Sequence, residues 1–74
     1  MEQRRVSQEE LNELVRKHKL WLEGKEGGER LVLVNCDLRG SNLRGSDLRG
    51  SNLIGSNLSR SDLSGSNLSE SDLD

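Results

Sequence analysis

The chain has no alanine, phenylalanine, tyrosine or proline, and only one tryptophan and one cysteine among its 74 residues. Each shortage excludes something. With 30% apolar residues, most of them leucine, a core of interlocking mixed shapes is not available, and a fold that stacks one residue type suits the composition better. The single Cys36 excludes an internal disulfide. No run is long and apolar enough for a signal peptide or a membrane span, so a cytoplasmic location is expected and no membrane partner. Neither charge dominates: the net charge is −2, which predicts no direct binding to nucleic acid. The length allows one domain at most, with too little buried surface to be robust without a structural device.

Two segments with different periods are present. Residues 1–30 balance seven acidic against seven basic side chains and read as an amphipathic helix with a Gly-rich joint. Val6, Leu11, Leu14, Val15, His18, Trp21 and Leu22 fall close to one face at the helical period. Ser7 is an N-cap and Glu10, three residues on, completes a capping box, with Val6 and Leu11 placed as a hydrophobic staple. Gly24 marks the C-terminal stop and Gly27-Gly28 the joint. The spacing predicts a helix over about residues 8–23.

Residues 31–74 repeat every five residues as LVLVN, CDLRG, SNLRG, SDLRG, SNLIG, SNLSR, SDLSG, SNLSE and SDLD. The central leucine recurs without exception at 33, 38, 43, 48, 53, 58, 63, 68 and 73. Asp or Asn precedes it in every unit after the first, Ser lies two before it from Ser41 onward, and Gly closes most units. Five is neither the helical nor the strand period, so only a chain that turns a corner in each unit aims all of these leucines inward. Gly falls at the third position of a Leu-Arg-Gly-Ser turn, where type II geometry needs positive φ. Arg60 and Glu70 take that position in two units, so those corners are expected to be strained or to use another turn.

This pattern resembles the pentapeptide-repeat family, whose units read approximately A-[DN]-L-x-x, and the N-terminal stretch is similar to the helical leader of some short members. The resemblance implies a mainly β solenoid, a right-handed quadrilateral β-helix with four units per coil, here about two coils, capped by one N-terminal α-helix. Residues 1–30 would be the cap and joint and 31–74 the solenoid, together one folding unit. The family favours Ala where this chain has Ser at 41, 46, 51, 56, 61, 66 and 71. In the family that position points inward, so each hydroxyl is expected to find a partner, either in ladders of stacked serines or on backbone carbonyls.

No nucleophile–base pair, phosphate loop or metal-ligand spacing is present, so no catalytic residue, cofactor or metal is expected. Leu14, His18 and Trp21 are expected to form the structural cap, with Trp21 closing the open end of the first coil. Cys36 takes the inward position that Ser takes later and reads as a buried packing residue. Arg39, Arg44 and Arg49 follow the central leucine in consecutive units and would project from three successive sides of one coil. They are either solubilising residues paired to nearby Asp or contacts for an acidic partner. Leu58, Leu63, Leu68 and Leu73 would leave the last coil with an apolar end through which the chain self-associates as a homodimer. Glu70, Asp72 and Asp74 oppose that contact, and salt screens them.

The functional reading is a structural or protein-interaction module without enzymatic activity, its partner itself or an unidentified protein. The alternatives are a DNA-mimicking, topoisomerase-binding protein, as the resemblance implies for some members, or a minimal or designed self-assembling solenoid with no other partner.

Overall fold

The computed structural model describes residues 3–73. A short strand β1 (Arg4–Arg5) leads into one helix α1 (Gln8–Leu22), and the repeats follow, with regular strand only at β2 (Cys36–Asp37). The helix starts where Ser7 predicts: Ser7 is extended and its hydroxyl accepts from the Glu10 N–H at 3.1 Å. The capping box closes on that side only, because the Glu10 carboxylate is taken by Arg4. Val6 and Leu11 are both buried in the core. At the other end Gly24 has φ 69°. The Gly24 N–H donates to the Trp21 carbonyl at 3.1 Å and the Lys25 N–H to that of Leu20 at 2.9 Å, a Schellman motif.

The repeats stack at a spacing of twenty residues. Parallel bridges join Val32 to Asn52, Asp37 to Asn57, Asn42 to Asp62, Asp47 to Asn67 and Asn52 to Asp72. Four units therefore make one turn of the chain. Each side pairs through a single bridge because a corner interrupts it on either hand, which is why regular strand is so scarce in a β-stacked architecture. The backbone bonds run both ways between coils: Leu43 N–H donates to the Asp62 carbonyl and Asp62 N–H to that of Ser41, both at 2.9 Å. From Leu38 onward a Ser N–H at each corner closes back on the leucine carbonyl three residues earlier, as from Ser41 to Leu38 at 3.2 Å, while at the corner after Leu33 the Cys36 N–H donates to the Ser56 hydroxyl at 3.1 Å.

The third residue of every described corner has positive φ, whatever its type. Gly40 and Gly45 sit at 70° and 65°, and Arg60 and Glu70 follow them at 62° and 60°. The expectation of strain at those two units is thus the outcome, and no other turn replaces the common one. The left-handed conformation costs about 1–2 kcal/mol in a residue with a side chain.

Leu31, Leu33, Leu38, Leu43, Leu48 and Leu53 are buried, together with Val6, Leu11 and Cys36. The inward stacking is not uniform along the axis, contrary to the expectation that all nine leucines are enclosed. Leu58, Leu63 and Leu68 are half-buried and Leu73 is 47% exposed, since among the described residues nothing stacks beneath them.

The serines of the second coil link it to the first. Ser61 donates to the Leu38 carbonyl at 2.8 Å and Ser71 to that of Leu48 at 2.6 Å. Ser56 and Ser66 do the same to Leu33 and Leu43. Hydroxyl-to-hydroxyl contact occurs at Ser51 and Ser71, 3.2 Å apart. An alanine packs into the same space without these bonds, so the serine at the inward position adds a cross-coil staple to each side. No buried side-chain nitrogen or oxygen among the described residues is left without a partner.

Candidate functional site

The N-terminal segment meets the first coil through polar groups as well as apolar ones. A coil end presents unpaired backbone, the same hazard as a sheet edge. On one side β1 supplies a further rung, with Arg4 opposite Cys36 and Arg5 opposite Asp37, and the Val6 N–H donates to the Asp37 carbonyl at 3.2 Å. On the next side Gln8 imitates a strand with its side chain. Its amide donates to the Asn42 carbonyl at 3.0 Å and accepts from the Asn42 N–H at 2.8 Å. Further round, His18 is fully buried. Its Nδ1 accepts from the Leu31 N–H and its Nε2 lies against the Arg49 carbonyl, each at 2.8 Å. Because a backbone N–H can only donate and a carbonyl can only accept, this pairing makes Nδ1 the acceptor and puts the donating hydrogen on Nε2.

Leu14 packs half-buried against the core. Trp21 departs from the expected lid: it is 42% exposed and rests on His18, ring centroids 5.3 Å apart. Geometry explains this. At about 100° per residue, His18 lies about 20° from the direction of Leu11 and Trp21 about 80° from it. Trp21 therefore reaches only the margin of the buried stripe, where it lines a recess of about 270 Å³ with Leu22, Arg49, Gly50, Ser69 and Glu70.

The outer surface is organised by the Asp or Asn that precedes each central leucine. From Asp37 to Asn67, every one accepts through Oδ1 from the N–H two residues on, at 3.0 to 3.4 Å. Such a side-chain turn needs a short carbonyl-bearing side chain, which Asp and Asn alone supply. Two of the carboxylates of the first coil are also held by the arginine two residues on. Arg39 grips Asp37 with two nitrogens at 2.8 and 2.7 Å, and Arg49 grips Asp47 at the same distances. Arg44 follows the neutral Asn42 and lies 3.6 Å from Asp62 in the second coil. Arg30 reaches Asp72 at 3.8 Å.

The side-chain hydrogen bonds from Arg39, reinforced by its backbone N–H, hold the Asp37 carboxyl well below the usual carboxylate range. Arg49 lowers Asp47 in the same way, and the Ser64 hydroxyl and N–H lower Asp62. Arg39, Arg44 and Arg49 thus stand on three successive sides as the spacing requires, each exposed and each beside a carboxylate. Exposed pairs of this kind contribute little to stability.

The fourth side differs. Val34 and Ile54 occupy the outward position after Leu33 and Leu53, twenty residues apart and so one above the other, and both are exposed, as is Val32. The other three sides carry Arg over Ser at that position. The residues brought together at the last coil are Leu58, Leu63 and Leu68, whose backbone N–H groups have no acceptor among the described residues. Leu73 lies beside them, and Asp74, counted above among the opposing charges, lies outside the described residues.

Sequence reasoning missed Arg5 and Gln8, which complete the first coil, and the recess that Arg5 and Arg60 share with Arg39. Nothing in the five-residue period marks them, because they come from before the repeats or from a position where the repeat calls for Gly. No helix of the described residues is long and apolar enough to cross a membrane.

A family model described as pentapeptide repeats matches residues 32–74 in 8 copies. No curated protein and no solved structure matches the chain.

Proposed function

Because the chain belongs to the pentapeptide-repeat family, we propose that it is a non-enzymatic structural and protein-interaction module whose first partner is a second copy of itself. The body is a right-handed quadrilateral β-helix, as family membership implies, and the working location is the cytoplasm. The observation that carries the reading is the axial difference in burial. The leucines of the first coil are enclosed, whereas Leu58, Leu63 and Leu68 are half-buried and Leu73 is 47% exposed. With unpaired N–H groups beside those leucines, the second coil is a template for another chain. A two-fold contact between identical ends is the commonest closed arrangement. The opposing repulsion between copies of Glu70 and Asp72 is solvent-exposed and falls off within about 8 Å at physiological salt.

Mimicry of duplex DNA is the weaker reading. It needs dense negative charge along a rod, and here arginines stand beside Asp37, Asp47 and Asp62 on three sides of a body only 35 Å in its longest extent.

Light scattering on the purified 74-residue chain tests the proposal. A dimer is expected, more populated as salt rises, and Leu73→Glu should return it to monomer without changing the melting curve much. A monomer at high protein concentration in both low and high salt would rule the proposal out.

A further inference from the structure

The positive-φ corner at residue 60 holds an arginine where the corner above it holds Gly40, and both the Arg39 and Arg5 side chains reach the same place. Arg5, Arg39, Gly40, Asn57, Ser59 and Arg60 line an open recess of about 580 Å³ on the side of the solenoid. The three guanidiniums come from three levels of the stack: the N-terminal rung, the first coil and the second coil. One carboxylate, Asp37, faces them, with Arg39 bound to it in bidentate fashion and Arg5 at 3.4 Å. Arg5 is further held by the Arg39 carbonyl at 3.2 Å. Arg60 has no ion-pair partner among the described residues. Three positive charges against one negative leave the recess with an excess of about two, gathered at one spot on a chain of net charge −2.

Like charges repel, and the corner that brings Arg60 in is itself strained at φ 62°. A strained residue that also concentrates charge is a reason to look for a ligand that repays both. Guanidiniums present planar forks of N–H donors that match phosphate oxygens, two at a time. The Ser59 hydroxyl stands in the same wall with its one proton on Asn57 Oδ1 at 2.6 Å, and it can donate to an anion only by releasing that bond.

We propose that this recess is a binding site for a phosphate-class oxyanion, free or carried as a monoester, held by Arg5, Arg39 and Arg60. The site lies on the outer side of the solenoid, apart from the open end that carries Leu58, Leu63, Leu68 and Leu73, and does not depend on self-association.

The test uses the full chain and nitrogen-detected titration of the arginine side chains, with inorganic phosphate against chloride at matched ionic strength, and O-phosphoserine as the second probe. Saturable shifts are expected at Arg5, Arg39 and Arg60, with Arg44 still. Tighter binding of O-phosphoserine than of inorganic phosphate would assign the site to a monoester, and the reverse order to the free ion. The decisive variant is Arg60→Gly, because glycine is the residue this corner prefers. The variant should melt at or above the parent while phosphate affinity falls at least about fivefold, the loss of one charge-assisted contact. Arg44→Gln should bind phosphate as the parent does. Equal shifts at Arg44 and Arg60, or unchanged phosphate affinity in Arg60→Gly, would overturn the assignment.

Discussion

Leu48→Ala should destabilise the fold by ~2–5 kcal/mol, as truncation of an enclosed leucine does elsewhere. Leu48 has no exposed surface, and in a solenoid its neighbours cannot collapse into the space without breaking the twenty-residue register. Domains are stabilised by about 0.05–0.15 kcal/mol per residue, so a chain of this size has on the order of 4–11 kcal/mol in total. The substitution removes a large share of that. Leu58→Ala carries the same chemical change but starts from a half-buried position and should cost distinctly less. Urea melts of the two variants beside the parent measure the difference. A Leu48→Ala curve that overlays the parent would mean that the leucines do not form the core.

His18→Ala should be at least as damaging, although it removes a polar residue from a segment outside the repeats. The imidazole joins the Leu31 N–H to the Arg49 carbonyl, and alanine leaves both groups without a partner beneath the helix. Each such loss costs about 1–3 kcal/mol, and the vacated volume adds to it. The expected outcome is a chain that is unfolded or melts without cooperativity at room temperature. Trp21→Ala is the informative contrast, because its ring is 42% exposed and its removal should be tolerated far better. Deletion of residues 1–24 takes away β1, Val6, Gln8 and His18 together and should leave an insoluble repeat segment. A soluble fragment of residues 31–74 with a sharp thermal transition would refute the role of the helix as a required cap.

The period of five was sufficient to read the inward leucines, the corners and the family, because each depends on residues that recur. The helix was legible from Ser7, Gly24 and the apolar stripe for a similar reason: local signals act within a few residues. What escaped was the contact between the two segments. Gln8 replaces a missing strand by pairing with both backbone groups of Asn42, and no local pattern distinguishes that glutamine from a solvated one. Trp21 shares the apolar face that the helical period marks, but it lies about 80° from the direction of Leu11 and so stays 42% exposed, and membership of the face does not by itself fix that angle. The inward serines were read as needing partners, and the choice between hydroxyl ladders and carbonyls fell mainly to carbonyls of the preceding coil. That choice depends on the offset between coils, which composition does not encode. For the surface, the spacing placed Arg39, Arg44 and Arg49 on successive sides. It could not bring Arg5 and Arg60 to the side of Arg39, since one precedes the repeats and the other breaks their glycine rule.

The twenty-residue register carries the whole account, and trans-hydrogen-bond scalar couplings in the isotope-labelled chain measure it directly. Couplings are expected from the Leu43 amide nitrogen to the Asp62 carbonyl carbon and from the Asp62 amide to the Ser41 carbonyl, the two bonds of 2.9 Å that join the coils on that side. Matching pairs should appear for Leu38 with Asn57 and for Leu48 with Asn67. Couplings confined to residues three or four apart, or pairs offset by a spacing other than four repeat units, would contradict it.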